Sequence, residues 1–167
     1  MLKQSRVREL FDYKNGQLMW RVSTTNSIKV GDVVRDKDTY GYLRVGIDCR
    51  RYPVHRVIFL WHHGYLPKFL DHIDGNRLNN QIGNLRPCTK NENAYNSVLA
   101  CTNSSGVKGV SWDNMLGKWR GRMGVDGQTI FVGYFDNLGE AELAVRAARI
   151  KLHGEFANHG EIYASFA

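Results

Sequence analysis

Fourteen residues, Asp71-His72-Ile73-Asp74-Gly75-Asn76-Arg77-Leu78-Asn79-Asn80-Gln81-Ile82-Gly83-Asn84, constrain this chain more than any other feature. They show neither the alternation of a strand nor the 3.6-residue recurrence of a helix, and four asparagines and two glycines stand among them. Asn and Asp side chains offer the backbone local hydrogen bonds, so the stretch reads as a turn at Asp74-Gly75-Asn76 followed by a loop to Leu85. Packing alone is a poor reason for so much amide and carboxylate in one place. Hydrolysis of a phosphodiester needs a base to activate water and a cation to stabilise the leaving oxygen, and Asp71 beside His72 offers a ligand and a base. Adjacent strand residues point to opposite faces, so both can serve only if the strand twists or ends there.

The flanks supply the scaffold. A short helix is predicted around Gln4 to Phe11, then a hairpin at Asn15-Gly16 before Leu18-Met19-Trp20. Tyr42 to Ile47 alternates as a strand, and the apolar segment Val57 to Trp61 reads as a helix ending at Gly64. A further helix is predicted from Thr89 to Ser97. His55, His62 and His63 read as core, support or capping residues.

Beyond the small polar stretch Thr102-Asn103-Ser104-Ser105-Gly106 the pattern changes. Val107 to Trp112, Lys118 to Val125 and Gln128 to Phe135 read as strands, the last two joined at Asp126-Gly127. Asp136 or Asn137 can cap the following helix, whose apolar positions Leu138, Ala141, Ala144, Val145, Ala148 and Leu152 recur at helical spacing. In the middle strand Trp119, Gly121 and Met123 face one way, with Lys118, Arg120 and Arg122 on the other. Ile130 and Val132 are expected in the core, which puts Thr129 and Phe131 beside the cations. An aromatic inside a basic sheet face suits nucleic acid, and a sheet can enter the major groove.

Charge agrees with that partner. Of the 23 Lys and Arg in 167 residues, 16 fall in residues 1–103, against 9 of the 16 Asp and Glu. A net charge of +7 favours a polyanion, because each cation on a phosphate releases counterions. Cys49, Cys88 and Cys101 form no CxxC pair, so neither structural zinc nor a disulfide scaffold is expected. No apolar run approaches the roughly 18 residues of a membrane helix, and the N-terminus lacks the apolar stretch of a signal peptide. The expected setting is the cytoplasm, that of a host cell if the gene is phage-borne.

Two resemblances sharpen these readings. Leu70 to Pro87 with Asn91-Glu92-Asn93, and Val54-His55-Arg56 before them, resemble the HNH endonucleases of the homing type, whose ββα-metal fold surrounds one divalent ion. The resemblance implies His72 as general base, Asn84 as the central Asn that fixes the loop, and Asn93 as the last member. It also implies Asp71 and Asn93 as metal ligands, and their hard oxygens favour Mg²⁺ or Mn²⁺. Gly106-Val107-Lys108-Gly109-Val110, Gly117-Lys118-Trp119 and Val132-Gly133-Tyr134-Phe135-Asp136, with Glu140-Ala141 to Ala147-Ala148, resemble the Apetala-two/ethylene-response-factor DNA-binding domain. That implies Lys108, Lys118, Arg120, Arg122, Thr129 and Phe131 as DNA contacts, although Ser111, Asp113 and Asn114 stand where the plant domains carry arginines.

The expected architecture is α+β. An HNH nuclease domain of short strands covers residues 1–101 with its ββα core at about 68–98, a linker spans 102–106, and a three-stranded antiparallel sheet packs on one helix over 107–160. The expected activity is metal-dependent, site-specific cleavage of double-stranded DNA by a monomer that nicks one strand, with Arg77 and Arg86 as further phosphate contacts. The rival reading is a DNA-binding regulator that uses the HNH region as a scaffold. An RNA target is weaker, since no feature demands a 2′-hydroxyl.

Overall fold

The computed structural model describes residues 2–161 and is α+β, with short strands in four small sheets. Its contacts divide the chain between Pro87 and Cys88 into two compact units. The first holds helix α1 (Gln4–Leu10), the antiparallel hairpin β1 (Phe11–Lys14) and β2 (Gln17–Trp20), and a second hairpin of β3 (Arg44–Ile47) and β4 (Arg50–Pro53). Helix α2 (Val54–His63) follows, then β5 (Phe69–His72), which pairs with β6 (Leu85–Cys88) across the Asn-rich loop.

The Asn15-Gly16 turn forms as predicted, with φ of 47° and 82°. Unforeseen is the β3–β4 turn, where Asp48 and Cys49 take φ of 47° and 61° without a glycine. Asp tolerates this region better than most residues, but Asp-Cys carries little of the hairpin signal of Asn-Gly. The predicted strand from Tyr42 starts only at Arg44 because Asp38 holds the segment before it. Its carboxylate accepts from the Tyr40 and Tyr42 amides at 2.9 Å each and from Arg44 Nε at 2.7 Å. The core joins Val7, Leu10, Phe11 and Leu18 to Val54, Val57, Ile58, Phe59 and Leu60, so α2 buries one face and ends at Gly64, which adopts the left-handed conformation at φ 78°.

The second unit opens with α3 (Lys90–Tyr95), whose Thr89 and Glu92 form a capping box. Sheet order is β7 (Val110–Asp113), β8 (Lys118–Val125), β9 (Gln128–Phe135), all antiparallel, and helix α4 (Leu138–His153) packs on one face. Asn137 is its cap, accepting from the Glu140 amide at 2.8 Å. Helix α3, read from sequence as part of the nuclease region, packs in this unit. Tyr95 stacks on His153 with ring centroids 3.8 Å apart, and Tyr95 Oη and Asn91 Nδ2 donate to Asp126 Oδ1.

The stretch 102–106 is a tied turn rather than a loose connection. Asn103 Oδ1 accepts from the Gly106 amide at 2.7 Å, and Ser105 Oγ donates to the Val110 carbonyl at 2.7 Å. Composition marks flexibility and side-chain capping alike, since Ser and Asn serve both. Leu152 also differs from expectation. It is exposed, and the buried line of α4 runs Ala141, Val145, Arg149, His153, ending on two polar residues. Arg149 Nη2 donates to the Lys108 carbonyl at 2.6 Å and His153 Nε2 to the Gly124 carbonyl at 2.8 Å.

Candidate active site

The Asn-rich loop is organised by Asp74. Its carboxylate accepts from the Asn76 amide at 2.8 Å, Asn79 Nδ2 at 2.6 Å and Asn84 Nδ2 at 2.9 Å. Asn84 also donates to the Asn79 carbonyl at 2.8 Å and accepts from the Asp74 amide at 3.1 Å, while its own carbonyl receives the Ile73 amide. Asn84 thus closes the loop onto the end of β5. Asp71 and His72 stand at that end, both buried.

His72 Nε2 lies 2.9 Å from Asn80 Oδ1, inside the loop. A carbonyl oxygen only accepts, so the imidazole carries its proton on Nε2. Burial holds the ring below its ordinary pKa, opposed by the bond to Asn80 and by Asp74 and Asp71, so His72 is neutral at pH 7 and basic at Nδ1. The His55 ring stands edge-on to His72 at 5.0 Å, and Tyr42 packs against both. Asp71 Oδ2 takes both Arg86 Nε and Arg86 Nη2 at 3.0 Å, with side-chain exposures of 8% and 13%.

Asn80 was legible only as a loop residue, yet its side chain is the one that meets the imidazole. It is 2% exposed and its Nδ2 has no hydrogen-bond partner. A buried orphan donor costs about 1–3 kcal/mol, which loop closure by Asn84 and Asp74 does not explain. The first hairpin braces this stretch. Tyr13 Oη accepts from the Ile82 amide at 3.0 Å, and a Cβ on Gly16 would stand 3.0 Å from the Gln81 nitrogen and 3.2 Å from the Asn80 carbonyl carbon. Gly16→Ala combines that collision with φ 82°, and the expected loss is about 1–3 kcal/mol of stability, read by urea denaturation, with slower turnover as Asn80 is displaced.

His55 supplies a pH signature. Burial, with the charges of His72 and Arg56, pulls it down from 6.5 to about 3. Below pH 6.5 the unfolded chain takes a proton there that the folded chain refuses until about pH 3. The contribution is therefore complete above pH 6.5 and falls by about 1.4 kcal/mol per pH unit beneath it. Urea titrations between pH 7 and 4 check this, with a shallower acid limb expected for His55→Gln.

The other sequence-selected residues fall in three groups. Arg77 is exposed, donates to the Tyr40 carbonyl at 2.7 Å and lies over the Tyr42 ring at 5.0 Å. Arg86 is engaged with Asp71, and Asn93 lies exposed on α3 in the second unit. On the sheet face away from α4, Arg122 stands opposite Phe131, with Thr129 and Tyr134 exposed nearby. Lys118 pairs with Asp136 at 3.0 Å and Arg120 with Asp113 at 3.3 Å, so two acids reach this row. Val132 packs in the core as expected and sits in a bulge opposite Gly121 and Arg122, whereas Ile130, paired with buried Met123, is exposed. Lys108 turns inward and donates to the carbonyls of Tyr95, Ser97 and Asn158, where burial lowers it to about 8. His62 and His63 pack on Tyr13 and Phe59.

Comparison with known proteins gives this site a class. Residues 52–95 match the family model described as HNH endonuclease, a segment that contains α2, β5, the loop, β6 and α3, so the family match includes α3 as the sequence reading did, although its contacts lie in the second unit. The chain is 38% identical to "Protein 3.8" of Escherichia phage T7 over 106 residues, which cover 61% of this chain and 87% of that protein. It is also 37% identical over 73 residues to "Uncharacterized HNH endonuclease L560" of Acanthamoeba polyphaga mimivirus, covering 42% of this chain and 38% of that protein. No solved structure matches the chain significantly. The chain belongs to the family of phage T7 protein 3.8 and carries an HNH endonuclease domain, that of a nuclease, at residues 52–95. Among the described residues no helix is long and apolar enough to cross a membrane.

Proposed function

We propose that this protein is a metal-dependent, site-specific DNA endonuclease of the homing type, in which the HNH unit cuts and the sheet of the second unit holds the target. The observation that carries the reading is the buried His72 imidazole, neutral and with its proton held on Nε2, next to a buried carboxylate in a loop closed by Asn84. His72 takes a proton from water, which attacks phosphorus in line, and the products are a 5′-phosphate and a 3′-hydroxyl. Asn84 keeps the loop, and so the base, in place. Arg77, exposed at the loop, contacts a flanking phosphate.

The Asp71 carboxylate is the proposed donor for a hard divalent ion in the first unit, although among the described residues no three His, Cys, Asp or Glu side chains form a metal cluster. Arg86 Nε and Nη2 hold the Asp71 carboxylate at Oδ2, and oxygen donors without a thiolate suit Mg²⁺ or Mn²⁺. When bound, the ion supplies positive charge for the phosphate and departing oxygens. One such site cuts one strand, so a monomer nicks.

The second unit is proposed as an Apetala-type reader. Arg122 has an exposed side chain beside Phe131, Tyr134 and Thr129, the combination of cation and ring that suits phosphate and base edges. Lys118 and Arg120 reach the same partner by exchanging Asp136 and Asp113 for phosphate, whereas Lys108 supports the fold beneath. Tethering a small cutter to a reader raises its effective concentration at the site. Arg122→Ala is expected to weaken DNA binding about 10-fold and Phe131→Ala to relax sequence preference, both read by gel shift against specific and random duplexes at two salt concentrations. Unchanged affinity and preference in both variants would remove the reader from the account.

A further inference from the structure

We infer that Asn80 is the positioning residue of His72: its side-chain carbonyl holds the imidazole as the Nε2–H tautomer and so leaves the basic lone pair on Nδ1. The inference deepens the nuclease reading and rests on it for its consequence in turnover, but its geometric content stands separately.

Three observations carry it. Asn80 Oδ1 is 2.9 Å from His72 Nε2 with both side chains buried, so water does not compete for the bond. The loop's own ties are made by other side chains, with Asp74, Asn76, Asn79 and Asn84 accounting for the turn and its closure, and the Asn80 side chain adds none. Its Nδ2 is buried and unpartnered, so one end of the amide is unsatisfied while the other meets the imidazole. An Asn selected for packing would use both ends or be replaced by an apolar residue of the same size. The next residues of the loop are tied to the first hairpin, where Tyr13 Oη accepts from the Ile82 amide at 3.0 Å and Gly16 leaves no room for a side chain against the backbone at 80–81.

A neutral imidazole free to choose divides itself between two tautomers, and the form protonated on Nδ1 has no lone pair there. Holding one form keeps the whole population competent and fixes the ring plane as well.

The test is ¹⁵N NMR of histidine-labelled protein, with the His72 signals assigned by their loss in His72→Gln. The expected wild-type spectrum has a protonated Nε2 and an unprotonated Nδ1. Asn80→Leu is expected to mix the tautomers and to lower the cleavage rate at saturating DNA about 10- to 100-fold with gel-shift affinity unchanged. Asn80→Asp, which keeps an oxygen acceptor, is expected to restore the Nε2–H signal and to cleave faster than Asn80→Leu. A wild-type His72 protonated on Nδ1 overturns the inference without any variant, as does a folded Asn80→Leu protein with a wild-type His72 spectrum or wild-type turnover. Because the spectrum requires no cleavage, a wild-type protein that shows the Nε2–H form and cuts no DNA would count against the nuclease reading and leave the tautomer assignment standing.

Discussion

His72→Ala is expected to lower the rate of DNA cleavage by about 10²–10⁴-fold, the range that a positioned general base contributes, while gel-shift affinity stays within twofold. The side chain is buried at the end of β5 and its bonded neighbour is the loop asparagine Asn80, so its removal takes away a base and no surface cation. The stability change should be modest. Truncation leaves a small cavity and frees Asn80 Oδ1, but it also removes a group that burial keeps neutral and that resists acid. A drop in binding equal to the drop in cleavage would mean that His72 shapes the DNA-binding surface rather than the reaction.

The second large effect lies under the site. Arg86→Ala strips the guanidinium from a nearly buried carboxylate that it meets through two nitrogens at 3.0 Å. Breaking such a pair costs about 3–5 kcal/mol, because Asp71 is left charged without its compensating partner. Urea denaturation should show a lower midpoint at unchanged slope. Replacing both members, Asp71→Leu with Arg86→Met, should recover most of that stability, since apolar residues of similar volume often serve as well as a buried pair. Cleavage should stay lost in the double variant. That split separates what Arg86 does for the fold from what Asp71 does for the reaction.

Legibility in the sequence followed how local each signal is. The Asn15-Gly16 turn, the end of α2 at Gly64, the three strands of the second unit and the Asn137 cap depend on neighbours within a few residues, and the chain states them directly. The part of Asn84 in the loop was expected only from the HNH resemblance, and its side chain donates to Asp74 and to the Asn79 carbonyl. Asn80 was not legible, because four asparagines in one loop look alike until the imidazole's neighbour is known. Arg86 and Lys108 were read as surface cations for the same reason. A lysine beside glycines has no sequence mark that it will cap three carbonyls, nor an arginine that it will fold back on a carboxylate fifteen positions earlier. The placement of α3 in the second unit likewise depends on the contacts of Tyr95 with His153 and Asp126, partners 58 and 31 residues away.

The most direct test of the account incubates wild-type protein with supercoiled DNA carrying the sequences that flank its own gene, in Mg²⁺ and in EDTA, and follows the product on an agarose gel. Relaxed circles in Mg²⁺ alone, with 5′-phosphate and 3′-hydroxyl ends at one mapped position, are the result predicted for a metal-dependent nickase. Supercoiled DNA that persists in both tubes while a gel shift shows it bound would contradict the catalytic reading and leave a DNA-binding protein built on an HNH scaffold.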